Sequence, residues 1–359
     1  MKLGIFGFPL TGKTTLFRLL TGAGGHTPSG HRGDPNVGVA RVADPRLEHL
    51  AAVFRPRKTT TATFECVDIV GLHRGEAAAS MNLAVLKPVD ALAHVVRAFE
   101  DPAVPHSEGP LDPGRDAESL EMELIVADLD AAQKRLERLR QMVAKAGKPE
   151  DRKELPLQER ILEGLAAGRP IREMSFPPEE EKLLRGFAYY TAKPLLLVLN
   201  VGERSVGDLE AALRSSGLDR LASRPNVAAV AASAKIELEM AQLPERDAEA
   251  FRADLGIRES ALTRLLHAAY ELLGLISFYT VGEDECRAWP IRRGTTALKA
   301  AGTIHTDLEK GFIRAEVTAY DRFREAGSFA AAREHGWLRL EGKEYVVADG
   351  DIVHVRFAV

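Results

Sequence analysis

The segment that most constrains this chain is its beginning, where the apolar run Leu3-Gly-Ile-Phe6 passes into Gly7-Phe-Pro-Leu-Thr-Gly-Lys-Thr14 and then into TLFRLL. The spacing G-x-x-x-x-G-K-[ST], set between a strand-like run and a helix-like one, predicts a phosphate-binding loop. Gly7 and Gly12 allow the turn and the close approach of backbone to a polyphosphate. The backbone from Phe8, Pro9, Leu10 and Thr11 to Thr15 is the candidate cradle. Lys13 is expected to supply a positive charge to the β- and γ-phosphates. Thr14 offers a hydroxyl to Mg²⁺, and the helix that starts here turns its positive end toward the anion. The bland alternative is a glycine-rich strand-to-helix turn that holds no ligand.

Strand signals recur along the chain as LGIF, residues 61–68 (TATFECVD), 91–96 (ALAHVV), 194–199 (PLLLVL) and 227–232 (VAAVAA). Their nearly continuous apolar character is that of strands buried on both faces, so a mostly parallel α/β sheet is expected. The gap between the third and fourth is too long for one crossover and implies an insertion. Within it Ile125, Leu129, Ala132, Leu136, Leu139 and Val143 form a heptad seam on a strongly charged helix. Lys145-Ala-Gly-Lys-Pro149 breaks that helix before a second, shorter one. An antiparallel helical hairpin follows, either an arm packed only on itself or a lever that binds a partner. From Phe278 onward, short strands around the helix TTALKAAGTI, with strands expected in GFIRAEV, WLRL, KEYVV and IVHVRFAV, suggest a small α+β module of the ubiquitin-like kind. Arg287, Arg292, Arg293, Lys299, Lys310 and Arg314 are candidates for a basic face on it, with an ordinary solvated surface as the alternative.

The expected division is therefore 1–116 with 191–277 as the nucleotide-binding domain, 117–190 as the helical arm, and 278–359 as the terminal module. A length of 359 residues suits more than one core. The net charge of −4 supplies no global basic field for nucleic acid, so any such contact must be local. Cys66 and Cys286 stand apart with no pairing pattern, and Cys66 lies in an apolar run that reads as core. No unbroken apolar stretch reaches membrane-spanning length, and the chain reads as cytoplasmic. It is read as a monomer. The heptad seam does not argue for a dimer, because an antiparallel hairpin uses the same seam internally.

Two further motifs sharpen the chemistry. Asp68-Ile-Val-Gly71 ends the second strand, where a P-loop nucleotidase places a carboxylate near Mg²⁺ and a glycine N–H facing the γ-phosphate. Asn200-Val-Gly-Glu203 follows PLLLVL, where GTPases carry Asn-Lys-x-Asp and the Asp accepts from guanine. Here the carboxylate of Glu203 is one methylene longer and Val201 replaces the Lys. A site that loses its grip on guanine loses its main ground for rejecting adenine, so ATP is expected over GTP. Ser233-Ala234-Lys235, after the last strand, is expected beside the base with Asn200.

In this order the motifs GFPLTGKTTLF, PNVGVARVADPRLEHL, DIVGL, ALAHVVRAFED, LNVGE, SAKIELEMAQL and the block from RAWPIRRGTTALKAAGTI to the C-terminus resemble the YchF or Obg-like ATPase family over nearly the whole chain. The resemblance implies a TRAFAC-class P-loop domain interrupted by a coiled-coil arm and followed by a TGS-like β-grasp domain. It also implies ATP preferred over GTP, Mg²⁺-dependent hydrolysis, and association with ribosomes, with the TGS-like domain and arm as surfaces for rRNA. Leu72 fills the place where many GTPases carry a water-orienting Gln.

Two departures bear on turnover. Arg32 falls where the family carries a switch I Thr, so the second protein ligand for Mg²⁺ is missing unless Thr27 or Ser29 shifts in. The glycine-rich run after D-x-x-G-L is shortened to HRGEAAASMNLAVL and should be stiffer. His73 is then a candidate to orient the attacking water, and Arg32 or Arg74 to stabilise transition-state charge. The alternatives are a nucleotide-gated binding module with vestigial hydrolysis, and a GTPase that tolerates Glu203.

Overall fold

The structure, a computed structural model, describes residues 1–22, 26–27, 35–69, 81–106, 109–146, 148–257 and 259–358. The chain divides into two compact units, 1–40 with 64–272 and 41–63 with 273–359.

The first unit is built on a seven-stranded sheet in the order His26–Thr27, Asn36–Val42, Ala62–Asp68, Lys2–Phe6, Ala91–Ala98, Leu195–Val201, Val227–Ala232. The five apolar runs of the sequence are five neighbouring strands of it, with Val227–Ala232 at the edge. Lys2–Phe6 pairs in parallel with Ala62–Asp68 on one side and Ala91–Ala98 on the other, and the next two strands continue in parallel. Leu195–Val201 is buried at every position, as a strand covered on both faces must be. Because the chain leaves the first strand toward one side and then crosses to the other, a crevice opens at the C-terminal strand ends, where open α/β sheets bind ligands.

The insertion is helical. Pro113–Ala146 and Pro149–Ala166 form the hairpin, and Pro149 stands in the first turn of the second helix, where its missing N–H costs nothing. At about 1.5 Å per residue the longer helix reaches roughly 50 Å. Ile125, Ala132, Leu136 and Leu139 of the seam are buried, and Leu157, Ile161 and Leu165 of the return helix join Ile125 and Ala132 in one cluster. The arm does not separate as a unit of its own, as its base is tied to the sheet by buried polar groups. Asp128 accepts from the Tyr190 N–H (3.0 Å) and from the N–H and hydroxyl of Thr191 (both 2.7 Å). Arg172 donates to Glu121 (2.6 Å).

The second unit has a six-stranded sheet, Arg339–Glu341, Phe312–Ala319, Asp351–Phe357, Leu275–Thr280, Glu285–Arg292, Lys58–Thr60. The helix Ala297–Ile304 buries Ala297, Ala300 and Ala301 in a core with Phe278, Trp289, Ala315 and Val353. This is the β-grasp arrangement. KEYVV is not a strand; Val346 makes one isolated bridge to Thr296. Lys299 pairs with Glu309 at 2.6 Å, and Arg287 lies over the Trp289 ring, so the basic cluster of this module is partly neutralised or stacked.

The expected boundaries need correction at two places. Residues 41–63 were assigned to the nucleotide-binding domain but belong to the second unit, and Leu275–Thr280 lies wholly in that unit rather than straddling the boundary at 277/278. The cause is side-chain chemistry. Asp44 caps the helix Pro45–Phe54 by accepting the Arg46 N–H (3.0 Å), and it also accepts the hydroxyl of fully buried Tyr279 (2.5 Å). Arg46 bridges onward to Asp349 (2.7 Å), Phe54 stacks against Phe323 and Phe329, and Lys58–Thr60 pairs in parallel with Glu285–Arg292. Among the described residues, no helix is long and apolar enough to cross a membrane.

Leu50, wholly buried in the helix Pro45–Phe54, tests this assignment. Leu50→Ala is expected to cost about 3 kcal/mol. Hydrogen exchange should read that loss as faster exchange across Phe312–Ala319 and Asp351–Phe357, with Lys2–Phe6 and Ala91–Ala98 unchanged.

Candidate functional site

The loop after the first strand turns as its glycines require. Gly7 and Gly12 have φ of 154° and 94°, and a Cβ on Gly7 would lie 2.6 Å from the Val95 carbonyl oxygen. A Cβ on Gly12 would collide with the Asn200 amide. Gly12 precedes the helix Lys13–Thr21, whose first turn carries no acidic side chain. Phe8 buries its ring in the core, so its contribution to the loop is its carbonyl, which accepts from the Thr11 hydroxyl (3.1 Å) and from Lys13 Nζ (2.5 Å). Leu10 is exposed and takes a positive φ of 61°.

Lys13 is buried, and burial pushes its ammonium down to about 8 against the opposing pull of Asp68. Asp68, at the end of its strand, accepts from the Thr14 hydroxyl (3.0 Å) and from the Asn36 amide (3.2 Å) on the same oxygen, Oδ2. Burial raises its pKa, while Asn36, Thr14 and Lys13 pull the other way. Its other oxygen, Oδ1, is buried and has no hydrogen-bond partner among the described residues. An unpartnered carboxylate oxygen beside a hydroxyl is a hard oxygen donor set, and it fits Mg²⁺. His94 faces Phe6 across the strand pair and stacks on it at 4.8 Å. Burial, aided by the Lys13 charge, holds His94 down to about 3, so it is neutral.

Asn200 bonds two segments of the site at once. Its Nδ2 donates to the Thr11 carbonyl (2.9 Å) and its Oδ1 accepts from the Ala234 N–H (3.0 Å). The amide thus joins the glycine loop to Ser233–Lys235, where the last strand passes into the helix Ala234–Met240. Beside it opens a cavity of about 520 Å³ lined by Gly12, Thr15, Asn200, Glu203, Ser233 and Lys235, together with Phe99, Asp101 and Phe251. Val201 contributes to the lining but is buried, whereas Glu203 and Lys235 are exposed. Thus the loop from Gly7 to Thr15, Asp68, the segment from Asn200 to Glu203 and the segment from Ser233 to Lys235 meet in one place. Gly71, Leu72, His73, Arg74, Arg32 and Ser29 lie outside the described residues, as does the side chain of Thr27. Asn36, His94 and the 99–105 loop were not singled out in the sequence. Asn36 was visible only as part of PNVG, and His94 with the start of the loop only as part of ALAHVVRAFED.

A buried strand that runs into a glycine loop and helix, next to a strand tipped by a half-satisfied aspartate, defines the class as a P-loop NTPase fold, here with an inserted helical hairpin and a β-grasp unit. Comparison with known proteins agrees. The family YchF-GTPase_C, described as a protein of unknown function (DUF933), matches residues 275–358. The protein called "Ribosome-binding ATPase YchF" in Bacillus subtilis (strain 168) is 40% identical, over 99% of this chain and 99% of its own length. Its namesake in Haemophilus ducreyi is 41% identical, over 100% and 99%. A solved structure described as the Schizosaccharomyces pombe YchF GTPase superposes with a TM-score of 0.83 at 30% identity, covering 99% of this chain and 97% of that one. The chain belongs to the YchF family.

Asn200→Ala removes both amide bonds, whereas Asn200→Asp keeps only the acceptor for Ala234. The expected loss is about 2 kcal/mol of stability for the alanine variant and at least as much for Asn200→Asp, whose buried carboxylate would set an oxygen against the Thr11 carbonyl, measured by urea unfolding, with faster amide exchange at residues 7–15 in both.

Proposed function

We propose that this protein is a Mg²⁺-dependent P-loop nucleotidase that prefers ATP to GTP and acts as a nucleotide-dependent switch on ribosomes in the cytoplasm. The observation that carries this reading is the cavity that runs from Gly12 and Thr15 to Asn200, Glu203, Ser233 and Lys235. One end meets a loop built for polyphosphate, and the other is a concave space bounded by the two loops that read a base in P-loop NTPases.

In this reading the loop amides and Lys13 hold the β- and γ-phosphates. A phosphate beside Lys13 would restore its full charge, which burial alone disfavours. Thr14 and Asp68 would hold Mg²⁺, which supplies charge neutralisation at the phosphates. Gly71 N–H is assigned to the γ-phosphate and His73 to the attacking water, with Arg32 or Arg74 stabilising developing charge. Asn200 sets the distance between the phosphate loop and Ser233–Lys235 and, as part of the cavity lining, is assigned with them to the base. Glu203 replaces the guanine-reading Asp and withdraws the pair of hydrogen bonds on which GTP selectivity rests. The relatives' names differ on the base, ATPase for the bacterial proteins and GTPase for the yeast structure, which makes Glu203 the residue to test.

Ribosome association is supported by the relatives' name and by charge on the arm. Arg138, Lys145, Lys148, Arg152 and Lys153 are exposed on its outer half with no ion pair among the described residues. Such cations suit the phosphates of rRNA. The β-grasp unit is the second surface assigned to this contact.

Calorimetry with ATP and GTP at matched Mg²⁺ tests the base. ATP should bind tighter by at least about fivefold, and Glu203→Asp should narrow that gap; tighter GTP binding by the parent protein would reverse the assignment. Lys13→Ala is expected to cut triphosphate affinity at least about tenfold, and retention of normal ATP binding and phosphate release would sink the reading. The charge-reversal set K145E, K148E and K153E should weaken sedimentation with ribosomes and flatten its salt dependence, leaving ATP affinity unchanged.

A further inference from the structure

Part of the cavity wall is a loop without regular secondary structure, residues 99–106, which contributes Phe99, Glu100, Asp101 and Val104 to the lining. Its internal bonds are local, with the Val104 N–H donating to the Asp101 carbonyl (3.0 Å) and the Ala103 N–H to the Asp101 carboxylate (2.9 Å). These close one turn but do not fix where the loop lies against the sheet.

Arg97 does. It stands near the end of the strand Ala91–Ala98, in register with Asn200 on the neighbouring strand, and it is only 3% exposed. Its guanidinium donates to three backbone carbonyls of this loop, from Nε to Phe99 (3.0 Å), from Nη2 to Val104 (2.6 Å) and from Nη1 to Pro105 (3.3 Å). The same group lies 4.3 Å from the centre of the Phe99 ring. Phe99 in turn sits against Gly202, where a Cβ would meet its side chain at 3.4 Å. A rigid planar fork can satisfy three carbonyls at fixed relative positions, which an ammonium cannot. One pair of neighbouring strand positions therefore supports both sides of the cavity, Asn200 binding the glycine loop to the Ser233–Lys235 loop and Arg97 binding the 99–105 loop to the sheet.

We propose that Arg97 is a positioning residue for the nucleobase, holding the 99–105 loop in the shape against which the base packs, with no part in holding the phosphates. This rests on the nucleotide reading above and adds a determinant of base affinity whose side-chain hydrogen bonds, among the described residues, go to the 99–105 loop.

The test compares a ligand that has a base with one that lacks it. ATP, GTP and inorganic tripolyphosphate are titrated into the full chain and its Arg97→Ala and Arg97→Lys variants at fixed Mg²⁺, with thermal unfolding monitored alongside. Arg97→Ala is expected to lose about tenfold in ATP affinity and to shift the ATP to GTP ratio, with tripolyphosphate changed by less than about twofold. Arg97→Lys should recover only part of the loss, and it serves as the test variant if the alanine protein does not fold. An equal loss for ATP and tripolyphosphate would make Arg97 a scaffold of the whole site and overturn the proposal, as would ATP affinity unchanged in both variants. Parent protein that binds tripolyphosphate as tightly as ATP would show that the cavity takes no base, leaving the P-loop reading standing. Parent protein that binds neither ligand would overturn the nucleotide reading itself.

Discussion

The Asn200 side chain is a short strut between two loops far apart in sequence, with the Thr11 carbonyl at one end and the Ala234 N–H at the other. Gly12 is the counterpart of that strut, since any side chain there would occupy the space of the amide. The buried strand Leu195–Val201 holds the strut rigid, and the rest of the site is arranged around it. The glycine loop takes its positive-φ turns from Gly7 and Gly12, and the bond from the neighbouring strand to the Thr11 carbonyl fixes its far side. The start of the helix Ala234–Met240 is held by the other end of the same amide, whose Oδ1 accepts the Ala234 N–H. Buried amides that use both donor and acceptor in this way are costly to leave half-satisfied, which is what makes them good at fixing geometry.

A second constraint is electrostatic. Lys13 and Asp68 are each disfavoured as ions by burial; Asp68 offsets part of that for Lys13, whereas Asp68 is relieved first by the hydrogen bonds from Asn36 and Thr14 and then by the Lys13 charge. Asp68 has spent one oxygen on Thr14 and Asn36 and keeps the other unpartnered among the described residues. This is a site under-neutralised for its depth, in which an incoming phosphate and a cation would each remove a penalty already built in. His94, neutral and stacked on Phe6, lets the strand beneath carry a polar ring without adding a further positive charge next to Lys13.

The arm is joined to this domain through groups of similar depth. Asp128 on the long helix binds the backbone of residues 190–191, the segment that leads into the strand bearing Asn200. Arg172 ties Glu121 to the carbonyl of Thr191. The route from nucleotide cavity to arm is thus one strand and a buried carboxylate. A displacement of that strand would reach the helix with little slack, because a packed interior transmits strain.

The sequence by itself determined what is written in local pattern. Gly7, Gly12, Lys13 and Thr14 announce their loop because backbone geometry demands those residues at that spacing, and the five apolar runs announce a buried parallel sheet. The arm seam was equally legible, since heptad periodicity survives without knowledge of a partner. Tertiary structure alone decided the rest. Residues 41–63 read as a continuation of the first domain, yet Asp44, Arg46 and Phe54 find Tyr279, Asp349 and Phe323, partners that no local signal could name. Asn200 was legible as a base-site residue, but that its amide bonds link two loops depends on contacts 189 and 34 residues away. Arg97 stood in the sequence only as one letter of ALAHVVRAFED, and only folding shows it buried with its guanidinium on three carbonyls. Local periodicity and turn chemistry are properties of neighbouring residues, whereas the pairing of buried polar groups is fixed by which surfaces the fold brings together.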